Sequence, residues 1–164
     1  MARILIIDDD PAMVSVISEI CHERGHQTVA YNSGQKAIEN LTTVAPQLVI
    51  TDVRMDKVGG LDVLRECRDV TPNTPVILIT AYKTVETAIE AMKLGAYDYI
   101  TKPFKVDELQ LTIQRALDHQ HDRREIRNLR QIVKEKYRFE NIIGTSGRMQ
   151  EIYNLIAKVA DTDS

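Results

Sequence analysis

Short aliphatic runs that each end abruptly in a polar or charged residue constrain this chain more than any other feature. Residues 4–7 run into Asp8-Asp9-Asp10, residues 48–50 into Thr51-Asp52, residues 76–79 into Thr80-Ala81, and residues 97–100 into Thr101-Lys102-Pro103. Unbroken apolar runs of three or four residues, as over 4–7, 48–50 and 76–79, are what strands of a parallel sheet look like when helices cover both faces. Residues 97–100, interrupted by Asp98, are expected to be a further strand. A further strand is expected over 27–31. Between the strands lie helical patterns. Asp10 suits an N-cap and Pro11 the first helical position, followed by Val14, Ile17, Ile20 and Cys21 at helical spacing until Gly25. One helix capped by Ser33 carries Ala37, Ile38 and Leu41. Another spans 60–70, a fourth spans 84–94 and is closed by Gly95, and a fifth starts near Lys105 with Val106, Leu109, Ile113 and Ala116. Five strands alternating with five helices across short loops predict an α/β fold, a doubly wound five-stranded parallel sheet.

Composition narrows the function classes. With 164 residues the chain is long enough for one full domain and something smaller, and its 43% hydrophobic and 27% charged content is that of a globular protein. No apolar run approaches a membrane span, and Met1-Ala2-Arg3 leads straight into a strand, so neither membrane insertion nor a signal peptide is expected. Cys21 and Cys67 sit among apolar neighbours in helical patterns and read as buried thiols in a reducing cytoplasm. His119 and His121, two apart, would point apart on a helix, and Gly25 is expected to end the helix between His22 and His26, four apart, so all four read as structural or solvent-facing. The net charge of −3 is uneven: residues 115–138 hold eight Lys/Arg and four Asp/Glu, a local +4 that leaves −7 elsewhere. Such acidity argues against nucleic-acid binding by the main domain, and no nucleic acid is expected to bind this chain.

The helical pattern does not stop at Leu117. No glycine or proline occurs over 105–143, and Ile126, Leu129, Val133 and Lys136 or Tyr137 continue at spacings of three and four. A helix over 105–136 would be about 48 Å long at ~1.5 Å per residue. A solvated helix of mixed charge is one reading; a short parallel coiled coil pairing two chains is the favoured one. The apolar seam thins between His119 and Glu125, where a break is conceivable. Residues 139–146 read as an irregular segment. Met149, Ile152, Tyr153, Ile156 and Val159 then form one helical face with nothing after it to pack against, the expected start of a further domain.

The polar residues that end the strands carry the chemistry. Taken alone, Asp52 reads equally as a loop-capping carboxylate or as a ligand. A parallel sheet, however, gathers Asp8, Asp9, Asp52, Thr80 and Lys102 at one edge, where open α/β sheets bind their ligands. Three clustered carboxylates repel one another unless cations offset them. Lys102 supplies one cation, and a divalent ion with oxygen preference, Mg²⁺ or Mn²⁺, suits the remainder. A metal, an ammonium and a hydroxyl around one carboxylate fit phosphoryl transfer to it, with Asp52 as nucleophile, the metal and Lys102 neutralising phosphoryl oxygens, and Thr80 donating a hydrogen bond.

Asp8-Asp9, Asp52, Thr80-Ala81, Tyr99 and Lys102-Pro103, in this order, resemble the receiver domain of two-component response regulators over about residues 3–118. The resemblance implies a flavodoxin-like strand order of 2-1-3-4-5. It also implies phosphorylation of Asp52 by a sensor histidine kinase, and Mg²⁺ held by Asp9, Asp52 and the backbone carbonyl of Arg54, with Asp8 reaching it through water. A cis Lys102–Pro103 bond is implied as well. Thr80 and Tyr99 would be switch residues: Thr80 moves towards the phosphoryl group and Tyr99 rotates into the space it leaves. Two features are particular to this chain. Asp56 follows Met55, where such receivers usually carry proline. Arg54 and Tyr82 occupy positions that tune spontaneous dephosphorylation in the family.

Phe139, Glu140, Asn141, Ile142, Ile143, Gly144, Thr145 and Ser146, with Met149 and Ala157, Lys158, Val159 and Ala160, resemble the opening of the AAA+ domain of NtrC-like sigma-54-dependent activators. No Gly-x-x-x-x-Gly-Lys-[Ser/Thr] motif occurs in the chain, so ATP hydrolysis is not expected of it. Three parts are therefore expected: a receiver over 1–118, a helical linker over 119–138, and the start of a truncated AAA+ domain over 139–164. The expected function is a non-enzymatic phosphorylation switch acting on a sigma-54-dependent activator. Dimers would form through the receiver face or helix 105–136, and in the full-length protein sigma-54 RNA polymerase and DNA would be partners. In the NtrC-like group, long helical linkers accompany receivers that hold the ATPase apart until phosphorylated. The alternatives are a constitutive dimerisation module with a vestigial acidic site, an aspartyl-phosphate hydrolase and a flavodoxin-like cofactor binder. Arg54, where a hydrolase wants a second carboxylate, argues against the hydrolase. The lack of a glycine-rich phosphate loop after the first strand argues against the cofactor binder.

Overall fold

The computed structural model describes the backbone of residues 1–82, 84–143 and 148–160, and the side chains of all of these except 139–143, 148–150 and 153. The chain divides into two compact units, Met1–Arg123 and Arg124–Ser164.

The first unit is built on five strands: β1 (Arg3–Ile7), β2 (Gln27–Tyr31), β3 (Leu48–Asp52), β4 (Val76–Thr80) and β5 (Asp98–Thr101). They lie in the order β2-β1-β3-β4-β5, and every neighbouring pair is parallel. Successive side chains of a strand point to opposite faces, and this alternation splits the core into two layers. Ile4 and Ile6 of β1 pack with Ile17 and Ile20 of α1 (Pro11–Glu23) and with Leu109 and Ile113 of α6 (Val106–Ile143). Leu5 and Ile7 face the other way. They join Ala37 of α2 (Gly34–Glu39), Leu41 of α3 (Leu41–Val44), Leu64 of α4 (Gly60–Val70) and Ala91 of α5 (Val85–Lys93). The chain thus winds one way from β1 to β2 and the other way from β3 to β5. The reversal places a crevice at the carboxyl ends of β1 and β3.

Local chemistry sets several boundaries. Asp10 caps α1, its side chain accepting from the Ala12 N–H at 3.0 Å, and Pro11 takes the first turn, where a missing N–H costs nothing. Gly25 and Gly95 adopt φ of +79° and +94°, the left-handed conformation that ends a helix. Thr84 caps α5 through its hydroxyl. Two expectations shift by a residue: β4 extends to Thr80, and β5 runs Asp98–Thr101.

Two expectations are corrected. The single helix predicted after Ser33 is two short ones, and Ser33 makes no side-chain cap bond. The break falls at Asn40, whose side chain donates to the Lys36 carbonyl at 2.8 Å and competes for the groups a continuing helix needs. Next, residues 139–143, expected to be irregular, are the last residues of α6, which runs without a break through the thin seam at 119–125. Gly144, Thr145 and Ser146 lie outside the described residues. In the second unit, α7 (Arg148–Ala160) takes the helical face expected from Ile156 and Val159, beside the part of α6 that precedes it. Within the second unit Leu155, Ile156 and Val159 line a groove with Ile126, Leu129 and Val133 of α6, and the Arg130 guanidinium donates to the Val159 carbonyl at 3.3 Å. The side chains of Met149 and Tyr153 lie outside the described ones. Among the described residues no helix is long and apolar enough to cross a membrane.

Candidate functional site: an acidic cluster at the carboxyl edge

Each site residue predicted from the strand ends reaches the carboxyl edge of the sheet. Asp8 follows β1 directly, Asp52 and Thr80 are the last residues of β3 and β4, and Lys102 follows β5. Carboxylate oxygens of Asp8, Asp9 and Asp52 lie within 4.8 Å of one another. Asp8 is 2% exposed, Asp52 9% and Thr80 1%, whereas Asp9 faces solvent. Lys102 ties the cluster together, its Nζ lying 2.9 Å from Asp8 Oδ2 and 3.5 Å from Asp52 Oδ1. The other oxygen of Asp8 accepts from the Asp10 N–H at 2.9 Å, so the carboxylate is held at both ends. The Lys102–Pro103 peptide is cis, as the resemblance implies.

Backbone packing fixes Asp52. A side chain at Gly60 would place its Cβ 2.2 Å from the Asp52 carbonyl oxygen, and one at Gly59 would sit 2.8 Å from the Val53 carbonyl oxygen. Real Cβ atoms do not approach backbone so closely, so α4 can begin against the end of β3 only because glycine stands there. The Gly60 N–H donates to the Val53 carbonyl at 3.0 Å and closes the loop that carries Arg54, Met55 and Asp56.

The electrostatics follow from burial. Desolvation pushes the Asp52 carboxyl above its usual range, and the Asp8 charge adds to that; Lys102 pulls the other way but does not cancel it. For Lys102, burial works against the ammonium, yet the hydrogen bond to Asp8 and the charges of Asp52 and Asp8 hold its pKa above the ordinary lysine value. The cluster carries more negative charge than its lysine neutralises. All its donors are hard oxygens, and oxygens bound to one Mg²⁺ at about 2.1 Å can be at most ~4.2 Å apart, close to the spread seen here. The donor set fits a small divalent cation. Asp56 is exposed in the loop and is not one of the three clustered carboxylates.

The remaining predicted residues sit beside the cluster. Thr80 Oγ1 accepts from the Tyr82 N–H at 3.2 Å. Tyr99, half-buried on β5, donates its hydroxyl to the Tyr82 carbonyl at 3.1 Å, and burial raises its phenol pKa. The Arg54 guanidinium carbon lies 3.7 Å from the centroid of the Tyr82 ring. Sequence reasoning singled out Arg54 and Tyr82 by position but not this contact, which joins two loops and leaves no periodic signature. The histidines bear out a structural reading where contacts exist: His22 shares a hydrogen bond with Thr28 at 2.9 Å, His26 accepts from the Ala2 N–H, and His119 lies against Tyr97. Cys21 and Cys67 are buried and unpaired, their thiols pushed up by burial to about 12 and about 11.

A doubly wound sheet with an acid cluster and a bridging lysine at its switch point defines a class, and comparison with known proteins places the chain within it. Residues 4–114 match the response regulator receiver domain, and the chain belongs to that family. Beyond the receiver the likeness continues along nearly the whole chain. It is 40% identical over 158 residues to the regulatory protein AtoC of Escherichia coli (strain K12), covering 96% of this chain and 34% of that protein. It is 35% identical over 161 residues to the transcriptional regulatory protein ZraR of Escherichia coli O157:H7, covering 98% and 35% respectively. A crystal structure of NtrX from Brucella abortus superposes with a TM-score of 0.73 at 34% identity, covering 97% of this chain and 35% of that one. The chain spans about a third of the length of the curated relatives it matches.

Proposed function

We propose that this chain is a phosphorylation-dependent switch in which Asp52 accepts a phosphoryl group from a sensor histidine kinase. The observation that carries the reading is the Asp8–Asp9–Asp52 cluster with Lys102 bridging its two buried members. An Asp52 carboxylate oxygen forms the new bond to phosphorus while the bond from phosphorus to the donor nitrogen or oxygen breaks. Burial raises the carboxylate's proton affinity and hence its nucleophilicity, and membership of the cluster aims it at the crevice. Lys102, already between Asp8 and Asp52, is placed to neutralise phosphoryl oxygens as they arrive. Mg²⁺, or Mn²⁺ in its stead, would be held by Asp9, Asp52 and the backbone carbonyl of Arg54, with Asp8 acting through water, and would supply further charge neutralisation when bound.

The added phosphoryl group brings up to about two negative charges. The Thr80 hydroxyl can donate to it while still accepting from the Tyr82 N–H, since a hydroxyl does both. Movement of Thr80 frees space for Tyr99, and the shift in Tyr99 biases the face formed by α5, β5 and the start of α6. Residues 1–118 are the receiver in this reading, 119–138 a linker and 139–164 the start of an AAA+ domain. The α6 stripe of Ile126, Leu129 and Val133 pairs two chains. The whole protein would be a cytoplasmic sigma-54-dependent activator whose partners include RNA polymerase and DNA, a role supported by the likeness to AtoC and ZraR along nearly all of the chain.

Incubation with a small phosphodonor and Mg²⁺ should add the mass of one phosphoryl group to the wild type and none to Asp52→Asn. Labelling of both proteins, or of neither, overturns the assignment.

A further inference from the structure

Phosphoryl transfer makes no use of α2, yet α2 begins against the loop that joins β3 to α4. Gly34, its first residue, is buried. A Cβ there would lie 2.5 Å from the Val58 carbonyl oxygen, 3.2 Å from its carbonyl carbon and 3.0 Å from Val58 Cγ1. Real Cβ atoms do not come so close to backbone, so helix and loop touch only because residue 34 is glycine. The rest of the loop is held at a few points. The Gly60 N–H closes its mouth on the Val53 carbonyl at 3.0 Å, and the Gly59 N–H donates to Asp62 Oδ2 at 3.2 Å. Met55 and Val58 pack on the layer that holds Leu5, Ile7 and Ala37, whereas Arg54, Asp56 and Lys57 are exposed. Between those anchors the turn is tight. The Val58 N–H donates to the Asp56 carbonyl at 2.8 Å, and Lys57 takes φ of +66°, a left-handed conformation that L side chains avoid. A loop bent against preference keeps its shape only while its anchors hold. Val58 on Gly34 is the anchor that adjoins the bend.

We propose that Gly34 is a positioning residue for the divalent-cation site: by letting α2 close on the Val58 carbonyl, it fixes the loop whose Arg54 carbonyl would complete the ligand set. The proposal rests on the reading that Asp9, Asp52 and that carbonyl take Mg²⁺. A methyl group at position 34 must push the Val58 carbonyl or α2 aside by about 0.5 Å before the approach reaches even 3.0 Å. The loop is the part that yields, because α2 is seated in the core one turn on through Ala37. Mg²⁺ demands near-octahedral geometry at about 2.1 Å, whereas Ca²⁺ accepts bonds of about 2.3–2.6 Å and irregular coordination. A displaced carbonyl therefore harms Mg²⁺ binding far more than Ca²⁺ binding. Helix α2 thus sets the metal preference of a site to which it contributes no ligand.

The test is metal titration of the full chain, with Mg²⁺ and Ca²⁺ as the probes. Binding is read as the rise in melting temperature over each protein's own metal-free value. Gly34→Ala should bind Mg²⁺ about tenfold more weakly, the lower end of what supporting residues around a metal contribute, and Ca²⁺ within about twofold of the wild type. Val58→Ala thins the same contact from the loop side and leaves α2 intact. It should lose about two- to threefold in Mg²⁺ affinity and keep its Ca²⁺ affinity. Lys36→Ala, on the exposed face of α2, should match the wild type for both ions. Wild-type Mg²⁺ affinity in Gly34→Ala, or equal weakening of both ions, means that the contact serves stability alone and overturns the proposal. If Gly34→Ala does not fold, Val58→Ala decides by the same two outcomes. A wild type whose melting temperature answers to no divalent ion strikes the metal reading itself. Normal wild-type binding with an unchanged Mg²⁺ preference in the variants strikes only this inference.

Discussion

Ile50 and Ile132 have the same side chain, and the two units of the protein treat it in opposite ways. On β3, Ile50 is 1% exposed and packs between the sheet and the helices that cover it. On α6, Ile132 is 60% exposed, and Leu129 beside it is 56% exposed. In the first unit aliphatic residues are spent on burial, which is where most folding stability comes from. In the second they are displayed at helical spacing, where they add little to the stability of one chain and much to its capacity to meet another surface. The difference separates a part that holds a site in place from a part whose apolar residues stay largely exposed along a helix.

The contrast can be broken by truncation. Ile50→Ala should cost about 2–5 kcal/mol, the usual penalty for emptying a buried aliphatic site, read from chemical denaturation of the first unit. A smaller effect of opposite sign is expected at Asp52. Its carboxyl titrates higher in the fold than in the unfolded chain, because burial and then Asp8 disfavour its charge. The fold therefore prefers the protonated form, so this contribution is present below the ordinary carboxylate pKa and lost as pH rises through the raised one. Asp52→Asn should accordingly raise the melting temperature at neutral pH in metal-free buffer, with the gain shrinking as the solution is acidified. An unchanged melting temperature at every pH would mean that Lys102 compensates the buried charge fully. Smallest of all, Ile132→Ser should change stability by no more than about 0.5 kcal/mol. If two chains meet along α6, the same substitution should nevertheless lower self-association measured by sedimentation, and an unaltered sedimentation profile would remove Ile132 from the pairing surface.

The parts of this protein that were legible in its sequence are those governed by one dominant force. The bounds of β3 and α4 matched expectation because an unbroken aliphatic run, or a run with a 3.6-residue period, leaves few alternatives, and the strand-end residues then fell together by topology alone. Expectation failed where weak local terms compete. Asn40 divides α2 from α3 by one side-chain bond to the Lys36 carbonyl, a choice worth about 1 kcal/mol that periodicity does not register. Residues 139–143 looked irregular because their composition changes, yet with neither glycine nor proline present nothing stops the helix. Ile132 was passed over because it lies off the seam traced through Ile126, Leu129 and Val133, though it is the most exposed of the four. The Arg54–Tyr82 stack depends on two loops approaching each other in space, and only coordinates reveal it.

The two buried thiols have a practical consequence for following this switch in solution. With Cys21 and Cys67 pushed up to about 12 and about 11 and closed off from solvent, the native protein presents almost no thiolate to an alkylating probe at neutral pH. The chain also contains no tryptophan. A single cysteine placed at position 132 should take a spin label or dye with the wild-type thiols left in place, and a single tryptophan placed near Tyr82 would be the sole indole signal. One molecule could then report chain pairing and the state of the loop beside Asp52 through separate channels, without first stripping its own background.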